Sequence, residues 1–144
     1  MRYLAALLSL LTFLASPVVS AECLKDGDSI TLTGKISRET FPGPPNYESI
    51  DDGDEPETCW VLTIQQPRCV VAESMENGSL YEVAKSTTRF QLAFEDQSVY
   101  AKEKGLVESS AIVKGELFAA HTGHHHTKAL IAIKEIKPVP KSQQ

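Results

Sequence analysis

TTRFQLAFEDQSVYAKEKGLVESSAIVKGELFAA, residues 87–120, decides how this chain folds. Its first part sets Phe90, Leu92 and Phe94 in alternation with polar neighbours, the period of a half-buried strand. Asp96 to Glu108 then carries Val99, Tyr100, Lys102 and Lys104 and reaches Gly105, a pattern that suits one or two helical turns with a glycine stop. From Ser109 the alternation returns, with Ala111, Val113, Gly115, Leu117 and Ala119 on one face. One short helix between two strands is expected here.

Working outward, SITLTGKISRE (29–39) alternates Ile30, Leu32, Gly34 and Ile36 with polar residues, and CWVLTIQ (59–65) does the same through Trp60, Leu62 and Ile64 before Pro67 stops it. ALIAIKEI (129–136) supplies the last strand. Between Cys69 and Lys85 the pattern is weakest, and Asn77-Gly78 predicts a hairpin turn within a short excursion. The order is strand, long loop, strand, strand, short helix, strand, tight loop, strand. That order predicts an all-β chain, a small five-stranded Greek-key barrel of the OB-fold type with one short helix. Gly34 and Gly115 fall mid-strand, where a barrel strand coils sharply. An SH3-like barrel is the rival and accounts less well for a helix before the fourth strand.

The first 21 residues, MRYLAALLSLLTFLASPVVSA, have Arg2, an apolar run from Tyr3 to Leu14, and Val19 and Ala21 at the minus-three and minus-one positions of a cleavage site. This reads as an export signal over 1–21, since a spanning helix needs about 20 predominantly apolar residues. Glu22 argues against a lipid anchor on Cys23, so no membrane anchor is expected after cleavage. A single domain over 22–138 and a polar tail over 139–144 remain. Fourteen Lys and Arg oppose nineteen Asp and Glu; without Arg2 the formal balance is −6, which argues against a nucleic-acid surface.

Cys23, Cys59 and Cys69 all lie in the exported part, where thiols can oxidise. Pairing Cys23 with Cys69 would tie down the mature N-terminus and contribute roughly 4 kcal/mol in the chain-entropy model. Cys59 with Cys69 is the other intramolecular pairing considered, and intermolecular or reduced states also stand, because connectivity is not encoded in spacing. If Cys59 is left over, a small buried hydrophobe beside Trp60 is its simplest role.

Two segments are chemically unusual. TFPGPPNYESIDDGDEPE (40–57) cannot continue a sheet, and HTGHHHT (121–127) contains all four histidines. In an OB barrel the loops after the first strand and between the last two stand at the same open face. The proline-rich loop should therefore face the histidine hairpin, with Phe41, Asn46, Tyr47, Glu48 and Asp54 as candidate ligand-binding residues. A three-residue turn sets His121 opposite His125 and Leu117 opposite Ala129, with His124 at the turn and His126 pointing away. Directly opposed imidazoles can share one zinc or copper ion, with His124 or a carboxylate from Asp51, Asp52, Asp54 or Glu55 as a third ligand. The bland alternative is that the histidines only hydrogen-bond within the hairpin and to the opposite loop. Likewise, Phe41 and Tyr47 could simply cover the barrel end rather than meet a ligand. The run DDGDE has the wrong spacing for a calcium loop.

TFPGPPNYESI, the Gly53, Asp54, Glu57, Trp60, Leu62 pattern, Pro67-x-Cys69-Val70 and GELFAAHTGHHHT together resemble a family of exported bacterial proteins known only as a domain of unknown function. The resemblance implies an envelope protein of the periplasm with an early cysteine, supports the domain limits and the Cys23 to Cys69 pairing, and implies no activity. Cys59 departs from its pattern.

These readings point to a non-enzymatic periplasmic binding module with a small ligand, a divalent metal or an envelope protein held between the proline loop and the histidine hairpin. The alternative is an inhibitor or immunity-like protein that inserts the rigid proline loop into a partner enzyme. A metal-dependent hydrolase using His121, His124 and His125 is a third class.

Overall fold

The computed structural model describes residues 22–140 of the 144-residue chain. The export signal assigned to residues 1–21 and the last four residues of the tail lie outside the described residues. The strands are β1 Leu24–Lys25, β2 Ser29–Pro42, β3 Pro56–Glu73, β4 Leu80–Ala93, β5 Ser110–Ala119 and β6 Ala129–Pro138. Helix α1, Gln97–Glu103, and a 3-10 turn, Lys104–Leu106, sit between β4 and β5. Antiparallel pairs β2–β3, β3–β4, β5–β6 and β2–β5, with a parallel β4–β6 pair, close a ring of five strands. This is the OB-fold order, with the helix between the barrel's third and fourth strands.

Alternation drives the closure. Leu32 and Ile36, Trp60 and Leu62, Phe90 and Leu92, Val113 and Leu117, and Ile131 and Ile133 come from five strands into one buried cluster. Each such side chain contributes about 1.5–3 kcal/mol on burial. The two mid-strand glycines are where strands press together: a Cβ on Gly34 would lie 2.4 Å from the Thr63 carbonyl oxygen, and one on Gly115 2.3 Å from that of Ala132. Asp96 caps α1 by accepting from the Ser98 N–H at 2.8 Å. The helix does not stop cleanly at Gly105 but tightens into the 3-10 turn around it.

Three local expectations are corrected. Pro67 does not end its strand: β3 runs on to Glu73, and the register shifts between Thr63 and Arg68, so Pro67 falls where ladder pairing is already interrupted. The Asn77-Gly78 turn forms, with Gly78 at φ +68° and Ser74 N–H on Ser79 O at 2.8 Å, but it joins the ends of β3 and β4 rather than a separate excursion. The last hairpin pairs Leu117 with Ile131, not Ala129. From Gly115 to Ala119 the two-residue shift keeps the side chains on their expected faces and gives the extra length to the loop, which Ala120 N–H and Lys128 O close at 3.0 Å, and a bulge between Lys114 and Gly115 displaces the register by one more residue beyond it.

Cys23 is bonded to Cys69, and beside it β1 adds in parallel to β3 at Leu24↔Val70. Cys59 is free and half-buried; burial, reinforced by the Glu39 and Glu57 charges, pushes its thiol up to about 11, so it stays protonated and weakly nucleophilic.

Gly115→Ala should lower the unfolding free energy by about 1–3 kcal/mol through overpacking. Gly105→Ala, with open space around its Cβ position, should leave it nearly unchanged. Equal denaturation midpoints for the two variants would show that the close approach of β5 and β6 is wrong.

Candidate functional site

The proline-rich loop between β2 and β3 is organised by one carboxylate. Asp54, only 5% exposed, accepts backbone N–H groups from Glu48 at 2.7 Å, Asn46 at 2.8 Å and Ser49 at 2.9 Å. Those bonds, the Glu48 N–H foremost, hold its carboxyl below the usual aspartate range. Gly43 N–H on Glu55 O at 2.7 Å and Glu55 N–H on Pro44 O at 2.8 Å close the neck of the loop. Tyr47 sits in the left-handed region at φ +61°, and its ring lies on Gly123, where a Cβ would come within 2.9 Å of the ring carbons. A non-glycine residue in that region is held there by its surroundings.

Glu57, at the start of β3, joins the two loops. Its Oε1 accepts from His124 Nδ1 at 2.6 Å and its Oε2 from His126 Nε2 at 3.0 Å. The Tyr47 hydroxyl stands 3.1 Å from His124 Nε2. With the His124 proton on Nδ1, the hydroxyl donates to Nε2, and the ring is satisfied at both nitrogens. His126, whose side chain is 9% exposed, stacks on Phe41 with ring centres 4.6 Å apart and 3° between planes. Burial works to raise the Glu57 carboxyl, yet the two imidazole N–H groups, His126 first, outweigh it and hold the group below the ordinary glutamate range.

Gln91 fastens the histidine loop to the barrel wall. Its Oε1 accepts from His126 N–H at 2.7 Å, its Nε2 donates to His124 O at 3.0 Å, and its backbone N–H donates to Thr127 Oγ1 at 2.9 Å. Val61, Gln91 and Leu130 are cross-strand neighbours on the face that Trp60 and Leu92 do not occupy, and all three are buried. The loop thus covers the outside of the wall.

The two unusual segments do meet, but by different groups than expected. His121 and His125 are close through a turn rather than through strand register: His121 N–H donates to His125 Nδ1 at 3.0 Å, and the rings pack edge to face at 4.5 Å beside Phe118. His124 turns to Glu57 and Tyr47 instead, and the proposed metal triad of His121, His124 and His125 does not converge. Among the described residues no group of three His, Cys, Asp or Glu is placed to hold a metal ion. His126 points to Glu57, not away, because the Gln91 bonds fix its backbone against the wall. Asp54 is consumed by its own loop, and Asn46 and Glu48 offer it their backbone, leaving exposed side chains. Phe41 and Tyr47 face the histidines, and both are half-buried. Glu57, Gln91 and His126 were missed. Glu57 had a signal in its place at the end of the acidic run, whereas Gln91 had none.

Beside this latch a groove of about 610 Å³ opens at the barrel rim, lined by Arg38, Cys59, Trp60, Gln91, Phe94, Tyr100, His124 and His125, among others. Its apolar side is an aromatic cluster: Trp60 to Phe94 at 5.0 Å and 88°, Trp60 to Tyr100 at 4.9 Å and 44°, and Phe94 to Tyr100 at 5.7 Å and 84°. Trp60 is 2% exposed, and its indole N–H is buried with no hydrogen-bond partner among the described residues. A larger hollow of about 930 Å³ lies further along β2 and β3, around Gly34, Thr63, Gln65 and Ser109, and has no aromatic wall.

Residues 89–137, from the end of β4 through β6, match a family described as a domain of unknown function, DUF4431. The TFPGPPNYESI segment and the cysteines lie outside that match. A crystal structure of a small single-stranded DNA-binding protein from Streptomyces coelicolor aligns with 82% of this chain and 96% of its own, at 14% identity and a TM-score of 0.42. A search of curated proteins finds no match.

Because the folded carboxyl of Glu57 lies below its unfolded value, its stabilisation is complete above the ordinary glutamate range and is lost as pH falls through the folded value. Glu57→Gln should therefore cost about 1–3 kcal/mol at pH 7, with the gap to the wild type narrowing as pH is lowered from 5 to 3. Denaturant titrations at several pH values read this, and a gap independent of pH would contradict it.

Proposed function

We propose that this chain is an exported, non-catalytic binding module of the periplasm, and that its ligand seats in the aromatic groove beside the loop latch. The space between the proline loop and the histidine loop is filled by Tyr47 on Gly123 and Phe41 on His126, so a ligand is better served by the adjoining groove. The observation that carries this reading is the lining of the groove, in which the rings of Trp60, Phe94 and Tyr100 stand beside the polar groups of Arg38 and His125. Ligand sites of small proteins have this makeup, a mostly apolar concavity with a few placed polar groups.

Trp60 is the only tryptophan of the chain, so one indole cross-peak in a nitrogen–proton correlation spectrum reports on the groove alone. A fragment screen should yield compounds that move this peak saturably, and Tyr100→Ala should weaken them about tenfold. Hits that leave the indole in place and instead move the amides around Gln65 and Ser109 would transfer the site to the other hollow.

A further inference from the structure

We infer that the groove is built for a small organic anion, a carboxylate carried on a flat apolar body; this rests on the groove being the ligand site. The inference comes from a donor inventory. Arg38 is the cross-strand partner of Trp60, and Trp60 of Leu92, so the Arg38 side chain leaves β2 on the Trp60 face at the barrel rim. Its guanidinium has five N–H donors and no acceptor, and among the described residues it has no ion-pair or hydrogen-bond partner. His125 is a second donor: its Nδ1 already accepts the His121 backbone N–H, which leaves the proton of the neutral ring on Nε2.

Burial, followed by the charges of the neighbouring histidines, lowers the pKa of His125 and favours that neutral form. Two donor groups thus line one groove, and among the described residues neither has an acceptor.

Nearby carboxylates do not fill this demand. Glu57 is held by His124 and His126, and Glu39 is paired with Arg89. Glu95 is the one acid that lines the groove, and its charge opposes an anion, a monoanion less than a dianion. A monoanion meets these conditions. Planar carboxylates match the guanidinium fork in two parallel hydrogen bonds, and charge-assisted bonds are about twice as strong as neutral ones. The rings of Phe94 and Tyr100 then cover the apolar body.

The test compares phenylacetate with phenylacetamide, two probes alike in shape and unlike in charge, titrated into the purified protein and its Arg38→Met variant while the indole cross-peak is followed. Phenylacetate should bind the wild type about tenfold or more tightly than the amide, and Arg38→Met should reduce it to the amide's level while leaving the amide unchanged. Equal affinities for the two probes, or an unchanged phenylacetate affinity in Arg38→Met, would overturn the anion inference and leave the groove as the site. An indole unmoved by either probe would overturn the groove reading itself.

Discussion

A single carboxylate shared between two imidazoles sets the shape of this protein's open face. Glu57 reaches His124 with one oxygen and His126 with the other, and each ring is in turn held by an aromatic residue of the proline loop, Tyr47 or Phe41. The arrangement satisfies every group it buries. That matters because a half-satisfied polar network at a barrel rim costs more than an apolar one of the same shape. Two loops of odd composition therefore behave as one rigid cap, and the groove beside them inherits a fixed wall.

The barrel makes that cap possible. Closing five strands brings the β2–β3 loop and the β5–β6 loop to one end, and the close approaches at Gly34 and Gly115 let the strands coil enough to close. The wall outside the core is then covered at Val61, Gln91 and Leu130 by the histidine loop. The disulfide acts elsewhere, fixing the chain entry and β1 against the outer part of β3. Order thus comes from two sources, covalent at the N-terminal side and polar at the rim. The aromatic groove lies at the rim, where Trp60, at the end of the core row, packs against Phe94 and Tyr100.

Much of this was legible in the chain. Period-two alternation located five strands, the Asp96 to Gly105 stretch located the helix, and their order specified the barrel and so the meeting of the two loops. What could not be read was the detail decided by tertiary contact. Next to the loop, from Gly115 to Ala119, the two-residue displacement of the last hairpin changes no face, so hydrophobic pattern is blind to it, yet it lengthens the loop and sends His126 inward. Pro67 reads as a stop because the bulge that accommodates it depends on how β4 runs past. Gln91 alternates with core residues and so reads as solvent-facing; only the loop folding over it makes it a buried anchor. A cluster of histidines suggests metal when their rings are free to converge, whereas here His125 Nδ1 accepts a backbone N–H and the N–H groups of His124 and His126 are turned to Glu57.

The claim that the proline loop is clamped onto the histidine loop is tested most directly by distances between protons across the clamp. In a nuclear Overhauser spectrum of the protein, the Tyr47 ring protons should show strong cross-peaks to the Gly123 α-protons, and the Phe41 ring to the His126 ring. Absence of both, with the barrel's own cross-strand peaks intact, would mean that the loops stand apart and that the cap does not exist.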